Sequence, residues 1–100
     1  MVDMARAKFD PEHVVATPQA LQLIIAAGRT PLEFVNRHVS GDWGVLPPAD
    51  RARNDAALTA GSRIISAYAG PGGQRIWIIT DAADEQGRRE STTILLPEEY

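Results

Sequence analysis

Residues up to Gly61 carry the signals that start and stop helices, whereas the residues after it have the composition of β-strands. Thr17-Pro18, Thr30-Pro31 and Pro47-Pro48 each place a proline where a helix begins, and the first two add a threonine whose hydroxyl can cap the helix. Gly28 and Gly61 stand where a helix can end in the left-handed conformation. The chain therefore divides into an N-terminal part of three helices and a C-terminal part of strands.

The three predicted helices differ in how their apolar residues are distributed. The first, over residues 18–27, is apolar on nearly every side, which predicts that it lies deep in the core. The second, from 31 to 38 or 39, begins with a capping box formed by Thr30 and Glu33 and has an apolar stripe on one side. The third, over 49–60, has an apolar side made mostly of alanine, so it is predicted to be the most exposed of the three.

Three segments of the C-terminal part are short and rich in β-branched and aromatic residues, as strands are: 63–69, 74–80 and 91–96. The glycine-rich turn 70–73 joins the first two as a hairpin. This order predicts an α+β fold in which three N-terminal helices pack on a C-terminal three-stranded antiparallel meander. Val14-Val15, within residues 12–16, indicates a possible extra N-terminal strand.

Both faces of the predicted sheet carry apolar side chains. In the second strand Ile76 and Ile78 point to one face, and Trp77 and Ile79 point to the other. The helices can cover one face, so the N-terminal segment or a partner chain must cover the second. We therefore expect a homodimer, since monomers rarely expose large apolar patches.

Length and composition indicate a single α+β domain over residues 1–100, in which residues 1–10 form a flexible N-terminal segment. The 100 residues are 44% hydrophobic, which suffices for one core and leaves no room for a second domain. The chain has no cysteine, so it can form no disulfide or thiolate metal site, and a reducing, cytoplasmic location is expected. No apolar run approaches the roughly 18 residues that a membrane span needs, so no membrane partner is predicted.

Charge and motif content argue against several other partners. The net charge is −3 and the ten lysine and arginine residues are scattered, whereas a nucleic-acid binder gathers its cations on one face. Direct binding of DNA or RNA is therefore disfavoured. His13 and His38 belong to no metal-ligand motif, and the turn 70–73 lacks the residues of a phosphate-binding loop. No metal site and no cofactor are predicted.

The densest cluster of chemically versatile side chains lies between residues 37 and 44, and His38, Ser40, Asp42 and Trp43 form the candidate binding site. His38, Ser40 and Asp42 supply the residue types of a hydrolytic triad, but triads assemble from distant segments, so no catalytic residue is assigned. We interpret His38 as a residue at a helix C-terminus, with Ser40 or Asp42 capping the turn. Trp43 is expected to anchor the loop in the core, or alternatively to contact a partner.

Several segments carry a resemblance over almost the whole chain: 4–10, 15–18, 31–34, 38–44, 75–80 and 92–100. They resemble a family of small uncharacterised bacterial proteins, many of them encoded on plasmids and other mobile elements. The sequences Ser-Gly-Asp-Trp-Gly and Pro-Glu-Glu-Tyr make the resemblance fairly specific. It implies no established activity, but it implies a mobile-element setting, in which small acidic proteins sometimes modulate nucleic-acid machinery.

The sequence favours a small cytosolic protein that is not an enzyme and acts by binding another protein. This prediction rests on the lack of catalytic spacing, on the acidic balance and on the apolar sheet face that the chain has to cover. Two alternatives stay open. One is a small hydrolase or nuclease that uses the loop with His38, Ser40 and Asp42, and the other is a structural subunit that associates with itself.

Overall fold

The computed structural model describes residues 4–100, in which three α-helices and a four-stranded sheet are found. The elements in chain order are β1 (His13–Ala16), α1 (Pro18–Ala26), α2 (Pro31–Val39), α3 (Pro48–Ala60), β2 (Ile64–Ala69), β3 (Arg75–Thr80) and β4 (Ser91–Leu95). Two 3₁₀ turns cover Pro71–Gly73 and Pro97–Glu99. The predicted helix positions are confirmed, because the prolines and caps that the sequence shows do start the helices.

Both predicted threonine caps are present, but the second half of the capping box at α2 is not found among the described residues, because the Glu33 carboxylate accepts a hydrogen bond from the Arg29 side chain. The Thr17 hydroxyl accepts a hydrogen bond from the Ala20 N–H at 3.1 Å, and Thr30 accepts one from the Glu33 N–H at 3.4 Å. Gly61 ends α3 in the left-handed conformation, with φ of 83°. Between residues 4 and 100 no helix combines the length and the apolar character that crossing a membrane requires.

The sheet has the strand order β1-β4-β3-β2 and is mixed. β3 is antiparallel to both β2 and β4, whereas β1 runs parallel to β4, with His13 paired to Ser91. The prediction of a three-stranded antiparallel meander is therefore wrong, because a fourth strand extends the sheet beyond β4. Only Val14-Val15 hinted at that strand, since its side chains are mostly exposed and show no apolar alternation.

The two faces of the sheet are covered by different parts of the chain. The inner face lies against α1 and α2, and the main core is the cluster of buried residues between them: Ala20, Ile24, Phe34, Val35, Val39, Tyr68, Ile76, Ile78, Ile94 and Leu96. The outer face is the opposite one, and by strand alternation it carries Val15, Ile65, Trp77, Ile79, Thr93 and Leu95. α3 lies at the β2 edge, where Ala57 packs with Ile64 and Trp43 in a second, smaller cluster.

The prediction that the first helix lies deep in the core is wrong. α1 buries only Ala20 and Ile24, and Ile25 is 61% exposed, so this helix lies on the surface of the core rather than deep within it. In α3 the buried residues are Asn54 and Ala57, while the predicted apolar side of alanines faces outward. An apolar helix in a chain of this size has too few neighbours to cover all its sides.

Among the N-terminal residues that the structure describes, Lys8 and Phe9 lie on the inner side of the fold, against α2. The Lys8 N–H donates to the Val39 carbonyl at 2.7 Å, and the Phe9 ring lies 5.2 Å from the His38 ring. The outer face is instead partly covered by the C-terminal residue Tyr100, whose ring lies 5.6 Å from Trp77. The predicted flexibility of residues 1–10 falls partly on residues 1–3, which lie outside the described residues.

Substitution of Gly44 by alanine tests how tightly the loop after α2 is held against β2. Gly44 has φ of 77°, and a Cβ atom there would lie 1.9 Å from the Ala67 carbonyl oxygen. Gly28 has φ of 74° but open space around it, so Gly28→Ala is a matched control for backbone strain alone. We expect Gly28→Ala to cost about 1–2 kcal/mol and Gly44→Ala at least about 2 kcal/mol more. Urea unfolding measures both, and equal losses would contradict this account of the loop.

Candidate functional site

The four residues predicted as a candidate site do not form one exposed site, although the buried rings of His38 and Trp43 contact each other with centroids 6.0 Å apart. The His38 ring enters the core and is fully buried. The Ser40 hydroxyl donates to the Arg37 carbonyl at 2.9 Å, which caps the end of α2. The Asp42 carboxylate accepts a hydrogen bond from the Arg37 side chain at 2.7 Å. These three side chains are close in sequence, but each has a different structural role.

His38 belongs to a buried chain of hydrogen bonds whose direction is set at one end. The Pro11 carbonyl can only accept, so the Thr92 hydroxyl donates to it at 2.7 Å. Thr92 then accepts from Thr80 at 2.7 Å, and the Thr80 oxygen accepts from the Nε2–H of His38 at 2.8 Å. The second ring nitrogen, Nδ1, accepts from the Ser66 hydroxyl at 2.5 Å. Both nitrogens of the neutral imidazole are thus used inside the protein.

Burial keeps His38 uncharged. Loss of hydration, and to a lesser degree the positive charge of Arg89, lowers the pKa of His38 to about 3. Arg89 itself donates to the backbone carbonyls of Ala57, Ser62 and Asp81, which ties the end of α3 to the loop after β3. His38 is therefore a neutral structural residue at pH 7.

Asp42 fixes the loop between α2 and α3. Its carboxylate accepts the Gly44 N–H at 3.1 Å, and its backbone carbonyl accepts the Tyr68 hydroxyl at 2.8 Å. The hydrogen bond from Arg37 lowers the pKa of Asp42, and the Arg37 guanidinium lies 4.5 Å from the centre of the Tyr68 ring. These contacts agree with the interpretation of Asp42 as a residue that stabilises the turn.

Trp43 is a core residue, with 4% of its surface exposed. It packs with Ala57 and Ile64, and its indole N–H donates to the Asp55 carboxylate at 2.9 Å. The Phe9 ring stacks on it at 6.4 Å. Trp43 therefore anchors the loop and α3 to the sheet, and it offers no exposed ring to a partner.

An open groove between α3 and the outer face is a second candidate site, and sequence reasoning did not find it. Its volume is about 520 Å³, and its floor includes Ile65 and Trp77. Ala56 and Ala60, one turn apart on α3, form a wall of small side chains. The signals were the alanine side of the third helix and the outward direction of Trp77, but only the tertiary structure places the two opposite each other.

The polar residues around the groove are partnered within the chain. The Asn54 amide donates to the Ile65 carbonyl at 2.6 Å and accepts the Ile65 N–H at 3.2 Å. Arg53 pairs with Asp50 at 2.8 Å, and the Arg63 guanidinium lies 5.5 Å from the centre of the Tyr100 ring. Across the described residues no buried side-chain nitrogen or oxygen lacks a hydrogen bond. The groove therefore offers an apolar surface, with Arg63 at its rim and the charge of Arg53 offset by Asp50.

Comparison with known proteins adds no further information about this site. A scan against protein-family models found no match, and searches of the curated proteins and of the solved structures found none either. Within residues 4–100 no group of histidine and carboxylate side chains is arranged to hold a metal ion. The resemblance to the mobile-element family stays a prediction.

The first test of the loop is Trp43→Ala. Because the indole is buried and hydrogen-bonded, we expect the free energy of unfolding to fall by about 3 kcal/mol or more. Thermal and urea unfolding measure this loss. Removing the exposed side chain of Val45 nearby by Val45→Ala is the control, and it is expected to change stability by less than about 0.5 kcal/mol. Unchanged stability of Trp43→Ala would show that the loop is held by other contacts.

The buried state of His38 predicts a stability that depends on pH. Its pKa of about 3 in the folded protein lies below the ordinary value of 6.5, so the unfolded chain binds a proton first as the pH falls. The contribution of neutral His38 to the free energy of unfolding is complete above pH 6.5 and is lost progressively as the pH falls toward 3. Between pH 7 and pH 5 the free energy of unfolding is expected to fall by about 2 kcal/mol. Urea unfolding at both pH values checks this. His38→Gln should remove this loss, whereas the exposed His13→Gln should retain it, and an equal loss in His38→Gln would contradict the assignment.

Proposed function

We propose that this protein is a protein-binding module whose α3 groove receives an apolar segment of a partner protein. The observation that carries the proposal is the groove of about 520 Å³ whose floor is formed by Ile65 and Trp77. A partly exposed tryptophan beside small side chains forms the kind of recess in which partner side chains contribute most to binding. At the rim Arg63 adds positive charge, whereas the charge of Arg53 is offset by Asp50, so a partner with a carboxylate beside its apolar residues fits best.

The polar groups around the groove favour a protein partner over a small molecule. Sites for small ligands use a few convergent polar groups that orient the ligand. Here Asn54 is bonded to Ile65 and Arg53 to Asp50, so these groups already have partners. An apolar face of another protein needs no such orienting groups, because its binding free energy comes from buried area and from fit.

The backbone hydrogen bonds of β2, the strand next to the groove, indicate how a partner would bind. An extended peptide would add a strand to β2, but Asn54 occupies the outward N–H and C=O of Ile65. The backbone of Ala67 is occupied too, since its N–H donates to Trp43 and its carbonyl accepts from Val45. The partner therefore docks through side chains, as an amphipathic helix does in a groove.

The alternative of a hydrolase or nuclease is not supported by the site. Both ring nitrogens of His38 are hydrogen-bonded to Ser66 and Thr80, and the ring has no exposed surface. A general base has to reach its substrate. The cytoplasmic location and the mobile-element setting remain part of the proposal, supported by the lack of cysteine and by the resemblance to the plasmid-encoded family.

Photo-crosslinking in the native cell tests the groove. A crosslinking amino acid at position 56 or 60 is expected to capture the same protein, and the same substitution at Ala52, which is exposed on α3 but does not line the groove, is not. Ala60→Arg should fill the groove and reduce capture from position 56 at least about tenfold, whereas Ala52→Arg should leave it unchanged. Equal capture from positions 52 and 56, or capture that survives Ala60→Arg, would refute the proposal.

A further inference from the structure

The two edges of the sheet differ in whether another segment of the chain covers their outward backbone groups. At the β2 edge, Asn54 and the segment Trp43–Val45 occupy the outward backbone groups of Ile65 and Ala67. At the β1 edge, the strand order places no further strand beyond β1 in the described residues. An open edge with apolar side chains is a template for pairing with another strand.

The outward backbone groups of β1 can be identified from its register. The Thr17 N–H donates to the Ile94 carbonyl at 2.9 Å, and Val15 pairs with Thr93. In a parallel ladder the residues that bond to the neighbouring strand alternate. The backbone groups of Val15 therefore face β4, and the N–H and C=O groups of Val14 and Ala16 face the open edge.

A row of side chains crosses the outer face and ends at this edge. Ile65 pairs with Ile79, Ile79 with Thr93, and Thr93 with Val15. Val15 is 42% exposed and Val14 is 39% exposed. Side chains in one such row contact their neighbours directly, so the row lacks its next member beyond Val15.

We propose that a second copy of this chain supplies that member, with the two β1 strands antiparallel and Val15 opposite Val15 of the second copy across a two-fold axis. In this register Val14 of each copy pairs with Ala16 of the other, and each pair exchanges both N–H···O=C bonds. All outward backbone groups within the two strands are then used. The result is a continuous sheet through both copies, and this interface is independent of the α3 groove.

Charge and symmetry favour a second copy as the occupant. The register sets His13 of the second copy opposite Thr17, whose hydroxyl donates to the Glu99 carboxylate at 2.7 Å. It sets Glu12 opposite the uncharged Pro18, so the two Glu12 residues lie at opposite ends of the interface. A two-fold axis also joins the two apolar rows at their Val15 ends, as an isologous dimer requires.

Crosslinking through introduced cysteines tests the register, because the natural chain has no cysteine. Opposed Val15 residues form a non-hydrogen-bonded pair with Cα atoms about 4.5 Å apart, which suits a disulfide. The two Val14 residues are diagonal neighbours roughly 7–8 Å apart. We expect mild oxidation to link Val15→Cys at least about tenfold faster than Val14→Cys. Val45→Cys, with an exposed side chain beside the β2 edge, should resemble Val14→Cys.

Analytical ultracentrifugation measures the association itself. The wild-type chain should show a monomer–dimer equilibrium, and Val15→Lys should raise its dissociation constant at least about tenfold, because an edge lysine opposes strand pairing. Val45→Lys, the matched change at the closed edge, should leave it unchanged, and far-UV circular dichroism confirms that both variants fold. A wild-type chain that stays monomeric at about 0.5 mM, or equal disulfide rates at positions 14 and 15, would overturn the proposal. Neither outcome bears on the groove.

Discussion

The buried chain of hydrogen bonds that ends on the Pro11 carbonyl connects the N-terminal segment, α2 and three strands of the sheet. It links the N-terminal segment to β4 through Thr92, to β3 through Thr80 and to α2 and β2 through His38 and Ser66. The Thr80 and Thr92 hydroxyls both donate and accept, so the loss of one member leaves a neighbour with an unsatisfied group in a dry interior. The arrangement therefore specifies how α2 and the N-terminal segment sit on the sheet, which apolar contacts alone would specify less sharply.

The loop after α2 shows why an unusual composition does not by itself indicate function. Gly44 approaches Ala67 too closely for a side chain, Trp43 fills space under α3, and Asp42 holds the turn through Arg37. These roles need special residues because the loop pairs with the β2 edge at Ala67. The concentration of such residues is explained by the pairing of this loop with the β2 edge of the sheet.

The two surfaces that we propose as functional lie beside the two edges of the sheet, of which the β2 edge is covered and the β1 edge is open. Asn54 satisfies the backbone of β2 from a helix, and the space left between that helix and Trp77 becomes the groove. No equivalent element lies beyond β1 among residues 4–100, so its backbone and valine side chains reach solvent. The two proposed interfaces, one with a second copy and one with another protein, do not overlap, because the two surfaces lie at opposite ends of the sheet.

Local signals in the sequence determined the helices and the hairpin. Thr-Pro starts, a left-handed glycine at Gly61 and β-branched runs act over a few residues, so their effects are visible without knowledge of the partners. The mixed sheet was not predictable in this way, because β1 pairs with β4 at the far end of the chain and carries no apolar alternation. The burial of His38 and the groove beside Trp77 also required the tertiary structure. Both depend on side chains that the fold brings together from distant segments, and only the packed chain decides which of them are buried and which remain exposed.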